Sequence, residues 1–451
     1  MKNITIRDIL AATGGELLCG DADMQVTGIS TDSRNMNANT LFVPIIGEKV
    51  DAHDFIFSAL SGGGATLTQR HDSMEDSQPW IRVENTLSAM QSLAKYYRER
   101  MSFPIIAVTG SVGKTTTREM ITAALEVQYH VFHTEGNFNS QVGVPLTIDR
   151  MTGEEEVAVL ETGISEFGEM TKLAAMVQPQ MAVVTNIGVS HIENLKSREN
   201  IMAEKLRITE GMPEDGIVFL NGDDELLMSA KNNINRPVIT YGLSEHCDYR
   251  AEHVVTKNGQ ITFDCVVEEK KYPVVLNVLG IHNVRNALVA IAVAHEMGIT
   301  IEAATKAFVN FQGLRQRIYK CGDYIVIDDA YNASPDSMKA GIDVLDNFET
   351  TGRKIAVLAD MLELGEESYN YHYDIGIYLA EKKIDMLIYM GEKAEYINRG
   401  VRDHNICTTL VPANTGVEII RILKRILSKG DVVLLKASHG MHLDEVVKEL
   451  I

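Results

Sequence analysis

The stretch IIAVTGSVGKTTTREM (residues 105–120) decides the fold of the middle of the chain. Ile105–Thr109 is a continuous apolar run of strand length. It enters a glycine-bearing turn, Gly110-Ser111-Val112-Gly113, and then a helix-forming segment that opens on Lys114-Thr115-Thr116. In such a strand–turn–helix the backbone N–H groups wrap a phosphate and the helix dipole favours the negative charge. The lysine reaches the β and γ phosphates, and the Thr115 hydroxyl can coordinate Mg²⁺. The match to GxxxxGK[ST] departs at one place: Val108 stands where the first glycine belongs. Gly110, Ser111, Gly113, Lys114, Thr115 and Thr116 are therefore expected to hold ATP with Mg²⁺.

The same form recurs downstream. VAVLETG (157–163) and MAVVTNIG (181–188) are apolar runs that end in small polar residues, and Val218–Asn221 continues the series. Strands without alternation, separated by helices, indicate a parallel sheet covered on both faces. Ligands of such a sheet sit beyond the carboxyl ends of its strands. Glu161, with Thr162 beside it, and His191, at the end of NIGVSH, stand at such ends, so Glu161 and His191 are expected to meet in a metal site near the phosphate loop. The polar segment GNFNSQVGVP (136–145) brings Asn137, Asn139 and Ser140.

Further on, DYRAEHVV, QITFDCVV and KYPVVLNV, within 236–278, read as antiparallel strands, and an alanine-rich helix follows over 283–297. A third block starts near Gly313. YIVIDD (324–329), KIAVLAD (354–360), MLIYMG (386–391) and DVVLLKAS (431–438) alternate there with helical stretches, without GxGxxG. Before residue 100 a helix over 4–12, strands over 24–30 and 40–46 and a loop at SGGGA from Ser61 are expected. Leu87, Met90, Leu93, Ala94 and Tyr97 mark an amphipathic helix over 86–100. The expected fold class is α/β with three domains. These are a small α/β domain over 1–100, a central P-loop mononucleotide-binding parallel sheet with a small antiparallel portion over 101–312, and a Rossmann-like domain over 313–451.

Composition narrows the function. The 451 residues fit a prior of about three domains. Forty-two basic against sixty-two acidic residues, a net charge of −20, disfavour an unspecific nucleic-acid binder. An anionic substrate then needs a local basic or dipolar pocket. The five cysteines (Cys19, Cys247, Cys265, Cys321, Cys407) share no metal or redox spacing, as suits a reducing compartment. No apolar run approaches the roughly twenty residues of a membrane span, and no secretory signal is visible. A cytoplasmic protein without membrane insertion is expected.

TGSVGKTTT, GNFNSQVGVP, ETG, NIGVSH, AEKLRI, GIHNVRNA, DDAYNASPDSM and LADMLELGEES follow one another in this order. The ordered set resembles the Mur ligases of peptidoglycan synthesis over essentially the whole chain. STDSR and LFVPIIGEKVDAHDF, together with DDAYNASPDSM, resemble the type that adds D-alanyl-D-alanine to UDP-N-acetylmuramoyl-tripeptide. The resemblance implies that the first domain binds the UDP-sugar end of the substrate, the second ATP, and the third the incoming dipeptide. It implies an acyl phosphate made from the tripeptide carboxylate and ATP, then attacked by the dipeptide amine. It also implies a monomer.

By the same resemblance Lys114 is the phosphate-loop lysine, Thr115 a Mg²⁺ ligand, Glu161 a bridging metal carboxylate and His191 a ligand of the second metal. Lys205, in AEKLRI, corresponds to a lysine that the family carries carbamylated, with Arg207 where the family often has Glu. Asn283 and Asn286 correspond to adenine-recognising residues, and Arg315 to an arginine that reaches the nucleotide. Asp329 serves the nucleotide ribose or the attacking amine. Tyr331, Asn332, Ser334 and Lys436 fall to the substrate, although the family more often has Asn at 334, and Ala437 and His439 depart from its usual KGS. In the first domain Ser33, Arg34, Asp51 and His53 are implied substrate contacts, with Arg34 suited to a diphosphate.

Three rivals share part of this pattern. A sister ligase that adds the third peptide residue, or folylpolyglutamate synthase, keeps the central motifs. A P-loop ATPase without ligase activity has no use for the flanking domains.

Overall fold

The computed structural model describes residues 1–47, 49–257, 260–311, 313, 316–404 and 407–451. Arg315, the expected nucleotide contact, lies outside the described residues.

Three main sheets organise the chain. The first has five strands in the order Glu16–Cys19, Trp80–Arg82, Ala65–Thr68, Thr40–Phe42, Gly28–Ser30. Only its Glu16–Cys19/Trp80–Arg82 pair is antiparallel. The expected helix over 4–12 is Ile6–Thr13, because Thr5 caps it reciprocally with Asp8 and belongs to a short strand, Ile4–Thr5.

The central sheet has nine strands. Val131–His133, Val157–Glu161, Ile105–Thr109, Met181–Val184, Ile217–Asn221 and Val238–Gly242 run parallel, with Ile105–Thr109 in the middle of the covered part. The antiparallel region begins later than 236. Val238–Gly242 is still a parallel member, and Tyr249–Lys257 joins it in parallel through Tyr241 and Gly242. Only Tyr249–Lys257, Gln260–Val267 and Lys270–Leu276 form an antiparallel meander, and it extends the same sheet.

The third sheet has six strands in the order Arg317–Cys321, Tyr324–Asp329, Val432–Lys436, Lys354–Ala359, Met386–Met390, Thr409–Ala413. All pairs are parallel except Arg317–Cys321 with Tyr324–Asp329. The two outer strands escape an apolar-run reading because they are half-exposed edges.

The helix Thr86–Arg98 joins the first two lobes physically. Its Tyr97 hydroxyl donates to the Met151 carbonyl at 2.8 Å, and the Arg98 guanidinium donates to the Val177 carbonyl at 3.1 Å. One apolar cluster accordingly runs from Ile4, Leu41 and Leu93 through Ile105, Leu160 and Leu173 to Leu220. Among the described residues no helix is long and apolar enough to cross a membrane.

Candidate active site

Ile105–Thr109 is wholly buried and delivers the phosphate loop to the carboxyl edge of the central sheet. The loop is fastened from the neighbouring strand end. Asn186 receives the Val112 N–H on Oδ1 and donates Nδ2 to the Val112 carbonyl, each at 3.0 Å. Thr185 donates to the same carbonyl at 2.6 Å, and the Gly188 N–H donates to Ser111 Oγ at 2.9 Å. Gly110 has φ 142°, and a Cβ there would collide with the Thr185 hydroxyl, so this position requires glycine. Gly113, at φ 87°, precedes the helix Lys114–Leu125.

The helix is anchored from behind. Thr117 Oγ1 donates to Asn286 Oδ1 at 3.0 Å, Asn286 Nδ2 to Asn283 Oδ1 at 3.0 Å, and Asn283 Nδ2 to the Leu279 carbonyl at 2.6 Å. The two asparagines, on the helix His282–Glu296, line the site and also brace the phosphate-loop helix.

Charge is concentrated at the loop. The ammonium groups of Lys114 and Lys205 both donate to the Gly110 carbonyl, at 2.8 and 3.0 Å. Lys205 is 2% exposed, and burial, reinforced by the charge of Lys114, pushes its pKa well below the ordinary lysine value. Thr115 Oγ1 donates to Glu161 Oε2 at 3.0 Å, and Asn139 Nδ2 donates to Oε1 at 2.7 Å.

The third sheet faces this edge across a cleft of about 540 Å³. Asp329 ends a strand there and pairs with the buried Lys436 at 2.9 Å, while Lys436 also donates to the Asn332 carbonyl at 3.1 Å. Burial raises the Asp329 pKa against the pull of Lys436. Tyr331 lies against His439, ring centres 5.8 Å apart. His191, from the central lobe, approaches Glu363 of the third, Nδ1 to Oε2 at 2.7 Å.

The cleft gathers most of the expected residues. Ser111, Gly113, Lys114, Thr115, Thr116, Asn137, Asn139, Ser140, Glu161, His191, Asn283, Asn286, Asp329, Tyr331, Asn332, Ser334 and Lys436 line it. Ser334 does so while capping the helix Pro335–Asp346. Thr162 is fully buried and off the cleft, its hydroxyl 3.4 Å from the Val108 carbonyl. Ser33, Arg34, Asp51 and His53 lie apart, in the first lobe. There the Arg34 guanidinium grips Asp32 through both carboxylate oxygens, and His53 Nδ1 lies 2.6 Å from Asp51. The sequence alone does not single out Asn186, His282, Asp336 and Glu363, although each lies inside a motif. Asn186, His282 and Asp336 line the cleft, and Glu363 reaches it through His191.

Residues 25–98 match the Mur ligase family catalytic domain, 108–294 the Mur ligase middle domain, and 315–439 the glutamate ligase domain of Mur ligases. A UDP-N-acetylmuramoyl-tripeptide–D-alanyl-D-alanine ligase of Bacillus subtilis is 38% identical, over 99% of this chain and 98% of the relative. The chain belongs to the Mur ligase family. Among solved structures, a MurF from Acinetobacter baumannii superposes with a TM-score of 0.91 at 27% identity, over 99% of this Mur ligase and 98% of that chain. A MurF ligase from Thermotoga maritima in complex with ADP gives a TM-score of 0.85 at 28% identity, over 95% and 98%.

The donor chemistry of this Mur ligase fits a phosphate-borne divalent cation. Among the described residues no three His, Cys, Asp or Glu side chains converge as a self-sufficient metal site. Mg²⁺ needs no such cage, since it takes one or two carboxylates and completes its octahedron with phosphates and water. Glu161 and the Thr115 hydroxyl, in contact beside the phosphate loop, supply that kind of partial set.

Proposed function

We propose that the chain is the ATP-dependent ligase that joins D-alanyl-D-alanine to UDP-N-acetylmuramoyl-tripeptide. One observation carries the reading. A phosphate loop with two lysines and a carboxylate faces, across a single cleft, a second strand-end cluster of Asp329, Tyr331, Asn332 and Lys436. A bare ATPase has no need of the second cluster, and an amide-forming ligase has to bring two further substrates to the γ-phosphate. The full-length similarity to ligases of this name supports the dipeptide over a single amino acid.

A free carboxylate is a poor electrophile, so its activation precedes amide formation. The terminal carboxylate oxygen of the tripeptide attacks the γ-phosphorus of ATP, the bond to the β-phosphate oxygen breaks, and ADP departs. The amine of the dipeptide then adds to the acyl carbon, loses a proton, and inorganic phosphate leaves. Both partners of the first step are anions, so the site has to lower their repulsion. Lys114 and the loop N–H groups hold the β and γ phosphates. Thr115, Glu161, His191 and a carbamylated Lys205 would hold Mg²⁺, which supplies further charge neutralisation and in-line orientation. Asp329, fixed by Lys436, receives the dipeptide amine or the ribose, and Tyr331 and Asn332 form the wall beside it.

Phosphate release from ATP with Mg²⁺ tests the reading. It should require UDP-N-acetylmuramoyl-tripeptide and D-alanyl-D-alanine together and yield a product heavier by one dipeptide. Equal release with neither substrate would make the protein an ATPase. Release with a shorter nucleotide peptide and a single amino acid would make it a sister ligase.

A further inference from the structure

His191 and Glu363 belong to different lobes, yet both hold the left-handed backbone, at φ 63° and φ 61°. Residues other than glycine adopt it at a cost of about 1 kcal/mol or more, and such outliers cluster where a site dictates the conformation. His191 Nδ1 lies 2.7 Å from Glu363 Oε2, but the angles are not those of a hydrogen bond, and the buried Nδ1 is left without a hydrogen-bond partner. The contact is built from below: Val189 of the central lobe is buried in one apolar cluster with Met361 and Leu364 of the third, and Ile192 packs on it. Gly365, at φ 62°, lies beside Glu193 of the central lobe, whose Cα is at ordinary contact distance from this position. A polar pair at the surface contributes little stability, so this arrangement is more than the pair needs for itself.

We propose that Glu363 is the positioning residue of His191. A neutral imidazole has one N–H and one lone pair, and the partner of the first decides where the second points. A turn of the ring that lets Nδ1–H donate to Glu363 would leave the lone pair on Nε2 for a divalent cation at the phosphate loop. A carboxylate behind a ligating histidine fixes the ring and its tautomer. Here the carboxylate comes from the other lobe, so the His191 position is complete only when the third lobe is docked. The inference rests on His191 as a metal ligand, as read under the proposed function.

Mn²⁺ binding to the full chain tests it, followed by electron paramagnetic resonance with a non-hydrolysable ATP analogue. Glu363→Ala should weaken one class of Mn²⁺ site by about ten-fold, as loss of an outer carboxylate does elsewhere. Glu363→Gln should restore part of it, because the amide oxygen still accepts from Nδ1–H. His191→Ala should weaken the same class, and the double variant should bind no worse than His191→Ala alone. Unchanged Mn²⁺ affinity in Glu363→Ala, with affinity lost in His191→Ala, overturns the inference while leaving the metal reading intact. A lowered melting temperature with unchanged Mn²⁺ affinity likewise reduces Glu363 to a structural contact. Unchanged affinity in His191→Ala removes the metal reading and this inference together.

Discussion

Lys205 shows how burial can prepare a side chain for chemistry. Its amine is enclosed, donates to the Gly110 carbonyl, and has the charge of Lys114 nearby. Burial disfavours the charged form and so favours the neutral amine, the form that attacks CO₂. Carbamate formation would add carbon dioxide, release one proton and turn a would-be cation into an oxygen ligand for Mg²⁺. Lys205→Ala should therefore be inactive and recover partly with short carboxylates such as formate; undiminished turnover without them would sink the carbamate. None of this is legible in AEKLRI itself, because burial is a property of the fold and only the family resemblance pointed to the lysine. His282 is a second case. Burial, with Lys436 and Arg285 adding to it, pushes its pKa from 6.5 down to about 4. The folded chain keeps the ring neutral while the unfolded chain takes up the proton. Stability is then complete above pH 6.5 and falls as the pH drops from 6.5 through 4. Melting curves of His282→Asn should show a shallower fall across that window than the parent; parallel curves would mean that the ring titrates freely.

The elements divide by how strongly local sequence fixes them. Ile105–Thr109, Val157–Glu161 and Met181–Val184 were readable because fully buried parallel strands have to be apolar on both faces. Their ends, and hence Lys114, Thr115, Glu161 and His191, were readable with them. Pairing direction was not: Val238–Gly242 carries no mark that separates a parallel member from the meander after it. The helix His282–Glu296 hides a different fact. The resemblance assigns Asn283 and Asn286 to adenine, but in the fold their amides also connect Leu279 to Thr117 on the phosphate-loop helix. Asn286→Ala leaves the Thr117 hydroxyl and Asn283 Oδ1 without these partners. The expected loss is about 1–3 kcal/mol in urea unfolding, the usual penalty of orphaned buried groups. A raised KM for ATP should accompany it. Unchanged stability would show that solvent replaces the amide.

At the scale of the molecule the three sheets do not form three equal cores. Ile4, Leu41 and Leu93 of the first lobe share one apolar cluster with Ile105, Leu160 and Leu220 of the second. The third lobe keeps its own: one of its clusters takes only Val189, Leu279 and the partly buried Ile192 from elsewhere, and the other takes nothing. The resemblance points to Asp329, Tyr331, Asn332 and Lys436 of the third lobe, but that Glu363 and Asp336 would join them was invisible in the sequence. Glu363 and Asp336 are placed by the docking of one lobe on another, through few apolar contacts. Cooperative unfolding follows shared core, so calorimetry of the unliganded protein should resolve two transitions, one for residues up to about 312 and one for the rest. Trp80, the single tryptophan, is fully buried in the first sheet, and its fluorescence should follow the first of these units alone. If residues of both units hold a Mg²⁺–ATP analogue, as proposed above, it should draw the transitions together, because a ligand stabilises whatever must be folded to bind it. A single transition with equal calorimetric and van't Hoff enthalpies in the unliganded protein would mean that the few contacts around Val189 already bind the third lobe to the others.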